Sequence, residues 1–369
     1  MWAGRPGRGR GGPPRRRAAR AVRAALRAGA AAGAAASAWT AVRYWSVLVE
    51  NDMEGGAGEG AADGPSVSVV VPVLNEEKCI SDLVRQLHAL RPTPAEILII
   101  DGGSSDATGR PSPAGRAQTS QTNLRRPDRR RPHGAVRTAR AAGGVRVLRA
   151  KRGRAKQMNA GVAAAAGEIV LFLHADTALP RDGVAVVRRT MADRSLVLAA
   201  FVPRIEMRGE RVFWLISLHN VLKTFYLPLV LRPKSFFRGM RCFFGDQAMF
   251  CRTADFRKVG GFEESLPIME DAQLCIKMSR LGGMRLVPRV VSTSGRRWVS
   301  PTPYWPTDGA GRASEGLTRM DPPTPPRIAK MGNAKATAVH FLLGLSWYFG
   351  ASPSQLDVLY RTLYPDTVR

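Results

Sequence analysis

Cysteine is scarce in this 369-residue sequence, with Cys79, Cys242, Cys251 and Cys275 making up the whole complement. Four scattered thiols without a CxxC pair exclude a disulfide scaffold and favour a reducing compartment. Acids are outnumbered, 29 Asp and Glu against 56 Lys and Arg. No uninterrupted apolar run reaches the ~18–20 residues of a spanning helix, so an ordinary transmembrane protein is not expected. No GxGxxG stands between an apolar strand and a helix, the one match being Gly7–Gly12 in the arginine-rich N-terminus, and GxxxxGK[ST] is absent, which argues against a dinucleotide oxidoreductase and a P-loop ATPase. What is present is a 44% apolar composition, enough for a buried core in one large α/β domain or two small ones.

The net charge of +27 suggests a nucleic-acid binder until it is mapped. Residues 1–49 hold ten arginines and no acid, and residues 110–156 hold fifteen Arg or Lys with one acid, Asp128. These two segments supply +10 and +14 of the total, leaving the rest near neutral. Both lack the interleaved aromatics of a single-strand binding groove, which argues against nucleic acid as a partner. Arginine alternating with small residues in the first segment suits an organelle transit peptide, with an unstructured basic tail or a membrane-surface segment as alternatives. Residues 1–65 are therefore expected to lie outside the chemistry. A transit peptide implies a plastid or mitochondrion, and a plain tail a cytoplasmic or peripheral-membrane location. Residues 110–137, with four prolines and no apolar periodicity, read as a disordered insertion. Residues 300–327, with seven prolines, read as a Pro-rich loop before a helical segment at 328–369.

The remaining chain is regular. SVSVVVPV (66–73) is a strand buried on both faces. Ile80, Leu83, Val84, Leu87 and Leu90 follow at helical spacing. AEILII (95–100) and residues 145–149 are further strands, 154–166 an alanine-rich helix, and EIVLFL (168–173) another strand. This rhythm predicts an α/β fold with a doubly wound, mostly parallel sheet flanked by helices. Beyond it, residues 196–205 suit a strand. Residues 211–231 suit an apolar helix that serves the core or, alternatively, a membrane or lipid. HFLLGLSWYFG (340–350) suits another, and Ser352 to Gln355 form a capping box opening a final helix.

In an open parallel sheet, ligands bind outside the carboxyl ends of the strands. Three strands end there in acids and turn formers: Asn75, Glu76 and Glu77; Asp101 to Asp106; and His174, Ala175 and Asp176. Carboxylates repel a phosphate unless a divalent cation intervenes, so the pattern suggests a metal-bridged diphosphate.

The segments PVLNEE, IIDGGSSD, GRAKQMNAG, LFLHADT and GGFEESLPIMEDAQL, in this order, closely resemble family 2 glycosyltransferases of GT-A fold. Small bacterial-type "transferase 2" members look most similar. The likeness covers residues 66–109 and 138–299 and, more loosely, 328–364, making 66–299 the expected catalytic domain. It implies transfer of a sugar from a nucleoside-diphosphate sugar to a hydroxyl acceptor, a lipid being one candidate, with inversion and with Mg²⁺ or Mn²⁺. It places Pro72, Asn75, Glu76 and Asp101 in the nucleotide pocket, and Arg154, Lys156 and Asn159 at the diphosphate. Relatives carry two acids where this chain has Asp101-Gly102. The metal motif becomes His174-Ala175-Asp176, with Asp176 keeping the main ligand position and His174 a second ligand or a hydrogen-bonding group. Asp271 falls on the base and Glu270 beside it, Gly245, Asp246 and Gln247 on the acceptor side, and Arg297 and Trp298 over the diphosphate. The rival readings are a nucleotidyltransferase acting on a sugar phosphate and an inactive or basic nucleic-acid-binding relative.

Overall fold

The computed structural model describes residues 42–49, 64–109, 122–123, 144–207, 211–294, 342–347 and 349–363. The first half contains α1 (42–49), β1 (Val67–Val73), α2 (Glu77–His88), β2 (Glu96–Asp101), β3 (Thr122–Asn123), β4 (Gly144–Arg149), α3 (Arg154–Ala164) and β5 (Ile169–Phe172). The middle contains β6 (Thr177–Ala178), α4 (Gly183–Ala192), β7 (Leu196–Met207), β8 (Arg211–Val212), α5 (Trp214–Leu231) and α6 (Pro233–Phe237). The remainder contains β9 (Phe250–Arg252), α7 (Thr253–Lys258), α8 (Glu270–Met278), β10 (Gly283–Ser294), α9 (342–347) and α10 (Pro353–Leu363).

Ten strands form one sheet in the order β3-β4-β2-β1-β5-β9-β7-β10-β6, with β8 added to β7. The strands β3, β4, β2, β1 and β5 are mutually parallel. β9 runs antiparallel to β5 and β7, and β10 is parallel to β7. Alternate side chains of a strand point to opposite faces, and here both faces are covered. Val70, Leu98, Ile100 and Leu148 pack with Met158 and Val162 of α3, Leu48 of α1 and Leu274 of α8. Val69, Val71, Ile97 and Ile99 pack on the other side with Leu83 and Leu87 of α2 and Val184 and Val187 of α4. This double burial is why the strands read as unbroken β-branched runs. From β1 the chain moves outward through β2 to β4, then returns to β5 on the opposite flank of β1. The reversal opens a crevice above the carboxyl ends of β1 and β5.

Two expectations change. Part of the presumed tail belongs to the fold: α1 buries Tyr44 and Leu48, and the Tyr44 hydroxyl donates to the Leu286 carbonyl at 3.0 Å. At eight residues this helix follows directly on the arginine- and alanine-rich stretch and was read with it. The helix α5 also has the length and apolarity to cross a membrane, with a mean hydropathy of 1.3, although a third of that window is buried. The isolated His219, Asn220 and Lys223 broke the run without lowering its average below that mark. Within the expected insertion 110–137 the described residues are Thr122 and Asn123, a short strand on β4. The rest of that insertion, residues 1–41 and 50–63 of the expected tail or transit peptide 1–65, and the Pro-rich loop 300–327 lie outside the described residues.

The capping box forms as its sequence predicts. The Ser352 amide donates to Gln355 Oε1 at 2.8 Å, and the Gln355 amide donates to Ser352 Oγ at 3.3 Å. Leu343 and Leu356 then pack with Ile268 into a small apolar cluster. That cluster seats the C-terminal helices against the segment leading into α8, beside the crevice.

Candidate active site

Two adjoining cavities occupy the crevice. The outer one, about 940 Å³, lies over the ends of β1 and β5 and the start of α3, and α10 contributes Pro353, Asp357 and Tyr360 to its wall. The inner one, about 240 Å³, lies between α5, the turn at Gly245–Gln247 and the start of α8. Arg154, His174, Asp176, Glu270 and Tyr360 line both. The shared wall is therefore where one molecule in each cavity would meet.

The basic side of the outer cavity comes from Arg152, Arg154 and Lys156 at the start of α3. Gly153 precedes that helix with φ +129, and the first-turn amides of α3 have no intrahelical acceptor, an arrangement that favours anions. Arg154 Nε lies 2.8 Å from Oε1 of buried Glu270. Burial works to lower the Arg154 pKa, and the carboxylates of Glu270 and Asp271 outweigh it and hold the guanidinium above its ordinary value.

Asp271 faces the inner cavity, and its Oδ2 accepts the Gly245 amide at 2.9 Å. Burial first, and then repulsion from Glu270, raise its pKa to about 7, against the lowering effects of Arg154 and the Gly245 hydrogen bond. Gly245 cannot carry a side chain here, because a Cβ would collide with the His174 imidazole. The base candidate, the turn and His174 thus form one packed unit. In the same turn Asp246 Oδ2 accepts from Asn220 Nδ2 at 2.8 Å, while its Oδ1 is buried with no hydrogen-bond partner among the described residues. Lys223 Nζ sits 3.9 Å from the centre of the Phe244 ring, with its pKa lowered by desolvation.

Among the described residues, no group of three or more His, Cys, Asp or Glu side chains is placed to hold a metal ion by itself. Asp176 and His174 are protein donors facing both cavities. Mg²⁺ is commonly bound by one or two carboxylates, with substrate phosphate and water completing its shell. This donor set fits an ion of that kind and does not fit a self-sufficient metal cage.

A family model described as "Glycosyl transferase family 2" matches residues 68–142 and 128–256, just over half of the chain, including the ends of β1, β2 and β5. The chain belongs to glycosyl transferase family 2. A pre-mycofactocin glycosyltransferase of Mycobacterium tuberculosis is 25% identical over 281 residues, which cover 73% of this chain and 52% of that protein. The chain thus spans about half the length of the curated relatives it matches. Among solved structures, a Pyrobaculum calidifontis mannosyltransferase in complex with GDP-Man and Mn²⁺ matches with a TM-score of 0.45 and 18% identity, covering 92% of this chain and 81% of that one. S. aureus TarS 1–349 in complex with UDP matches with a TM-score of 0.43 and 17% identity, covering 62% of this chain and 60% of that one.

Of the residues that the family 2 motifs single out, Pro72, Glu76, Arg154, Lys156, His174, Asp176 and Glu270 line the outer cavity. Gly245, Asp246 and Asp271 line the inner one. Four others do not face either. Asp101 is 1% exposed, and its Oδ1 accepts both the amide and the hydroxyl of Ser104, at 2.9 and 2.6 Å. Through these bonds it closes the turn after β2. Asn75, with φ +57, accepts the Ser105 amide at 2.9 Å and thereby ties the turn after β1 to the turn after β2. Asn159 donates to the Phe262 carbonyl and accepts the Phe262 amide, each at 2.9 Å, so it anchors the loop before α8. Gln247 is fully buried, bonding its own turn through the Phe244 amide and α5 through Thr224 Oγ1, both at 2.9 Å. Arg297 and Trp298 lie outside the described residues.

Sequence reasoning missed Gln157, whose Nε2 donates to the carbonyls of Val73 and Ile100 at 2.8 Å each and so joins the ends of β1 and β2. That explains Gly102 where family 2 relatives carry an acid: a Cβ there would stand 2.9 Å from Gln157 Cδ. Asn220 and Lys223 were also missed as site residues, as were Asp357 and Tyr360. The interruptions in the apolar 211–231 run were a signal for the first two. The last two share one helical face with apolar neighbours and carried none.

Proposed function

We propose that this family 2 chain transfers a sugar, with inversion, from a nucleoside-diphosphate sugar in the outer cavity to a hydroxyl group in the inner one. The observation that carries the reading is the placement of Asp271. Its carboxylate faces the inner cavity, held by the Gly245 amide, beside the Arg154–Glu270 pair and Asp176 at the wall both cavities share. An inverting displacement needs a base on the acceptor side and cationic groups on the leaving-group side, and this wall separates the two. Asp271 takes the proton of the acceptor hydroxyl as its oxygen bonds to the anomeric carbon and the bond to the diphosphate oxygen breaks. Arg154, Lys156 and the α3 N-terminus receive the negative charge left on the diphosphate. Asp176, with His174 beside it, would hold a divalent ion, which when bound adds Lewis-acid stabilisation of the same charge. Glu270 holds Arg154 between the two sides, acting as a positioning residue.

The test combines ligand stabilisation with product analysis. UDP- and GDP-sugars screened with and without Mn²⁺ should give one donor that raises the melting temperature, because a ligand of the native state stabilises in proportion to its occupancy. Asp176→Ala should remove the Mn²⁺-dependent part of that shift. The product anomer, read by NMR, should be opposite to that of the donor. Retained configuration, or an unchanged Mn²⁺ effect in the variant, would refute the mechanism.

A further inference from the structure

The helix α5 is polar and bonded on one side and bare on the other. Its buried side holds Ser217, Asn220 and Thr224, and each is tied into the domain. Ser217 Oγ accepts the Ile205 amide at 2.9 Å, Asn220 holds Asp246, and Thr224 Oγ1 accepts from Gln247. These bonds would be lost if α5 left the domain to cross a bilayer, and unpaired polar groups are costly in hydrocarbon. At 100° per residue, Leu215, Leu222, Leu229 and Val230 fall on the opposite side. Leu215 is 81% exposed and Val230 71%.

The flanks extend this face. Beside the start of α5, Trp45 of α1 meets Trp214 with the rings tilted at 51° and 5.5 Å between centres, and it remains 43% exposed, with Val42 and Val49 exposed on the same side of α1. Beyond its end, Phe237 of α6 is 79% exposed among exposed Arg232, Lys234 and Arg238. Neither 42–49 nor 211–244 contains an acid. An apolar strip bordered by an aromatic pair and by cations, with no carboxylate to repel a negative surface, has the chemistry of an interfacial helix.

We propose that the outward face of α5, with α1 and α6 beside it, docks on the surface of an anionic lipid bilayer, lying on the membrane without spanning it. His219, Tyr226 and Leu227, on the neighbouring flank of α5, line the inner cavity. On the reading proposed above, docking would bring the acceptor cavity to the bilayer surface.

The test is sedimentation of the full chain with vesicles of phosphatidylcholine alone or mixed with phosphatidylserine, with no sugar donor present, so its outcome is independent of the transferase reading. Binding is expected to the mixed vesicles and to weaken with salt. The double variant Leu215→Glu/Phe237→Glu, which changes only exposed side chains and should melt as the wild type does, is expected to lose about tenfold or more in vesicle affinity. Unchanged binding by the variant would assign the interaction to the arginine-rich residues before α1 and overturn the proposal. So would a wild type that ignores both vesicles, or one that forms a dimer which the variant dissociates.

Discussion

Asp101 and Asp271 are both buried carboxylates at the rim of the crevice, one closing β2 and the other opening α8. Asp101 spends one oxygen on two hydrogen bonds from Ser104 and lines no cavity. Asp271 accepts one backbone amide, faces the inner cavity, and stands beside a second buried carboxylate. The first is a turn residue whose partners lie three positions away in the chain. The second is held in an unfavourable environment by residues brought from α3, α8 and the Gly245–Gln247 turn. Burial of an acid therefore does not mark the site here; burial on a cavity wall beside a second carboxylate does.

The contrast can be broken by substitution, and Asp271→Asn should have the largest effect. Loss of a general base should reduce transfer by about 10²–10⁴-fold, measured as the acceptor-dependent rate of nucleotide release. The same change should stabilise the fold at alkaline pH. A carboxyl whose folded-state pKa stands near 7, against an ordinary aspartate value of 3.8, binds its proton more tightly in the native state. Its stabilising effect is complete below that ordinary value and fades as pH rises towards 7. Asparagine does not titrate, so above pH 7 the variant should melt a few degrees higher, at ~2–4 °C per kcal/mol for a domain of this size. A wild type whose melting temperature shows no fall relative to the variant between pH 4 and 8 would contradict the assignment.

Smaller effects should follow in order. Arg154→Ala leaves Glu270 buried without its ion pair, and because Arg154 is 29% exposed the cost should be about 2 kcal/mol, below the range for a fully buried pair. Chemical denaturation of the variant would measure it. Gly102→Ala pushes on the Gln157 carboxamide and should cost about 1–2 kcal/mol, with the melting temperature as readout. Asp101→Asn should do least. The amide oxygen still accepts from Ser104, so stability should change by less than about 1 kcal/mol and donor affinity should not move. A weakened donor affinity in that variant would restore Asp101 to the nucleotide pocket and erase the contrast.

How far the chain could be read depended on where its partners lie. The run Val67–Val73, the helix with Leu83 and Leu87, and Glu96–Asp101 were legible because burial on both faces leaves a pattern within a few residues. The α10 capping box was legible for the same reason, its partners being three positions apart. Family motifs pointed to Arg154, Asp176, Glu270 and Asp271, all of which the fold brings to one wall. They also pointed to Asn75, Asn159 and Gln247, whose side chains instead hold loops in place. A motif shows that a position is constrained, and the constraint is sometimes the backbone around the site.

The amino-acid sequence by itself determined the order β1, α2, β2, β4, α3 and β5, the parallel half of the sheet and the gathering of acids at its carboxyl edge. Hydrophobic periodicity and turn chemistry act over short stretches of chain and need no distant partner. Only the tertiary structure decided that Asp101 bonds its own turn while Asp271 faces a cavity beside Glu270, that Gly102 yields its space to Gln157, and that α5 turns its polar side inward. Each of those outcomes rests on desolvation and contact between segments tens of residues or more apart, which no local pattern encodes.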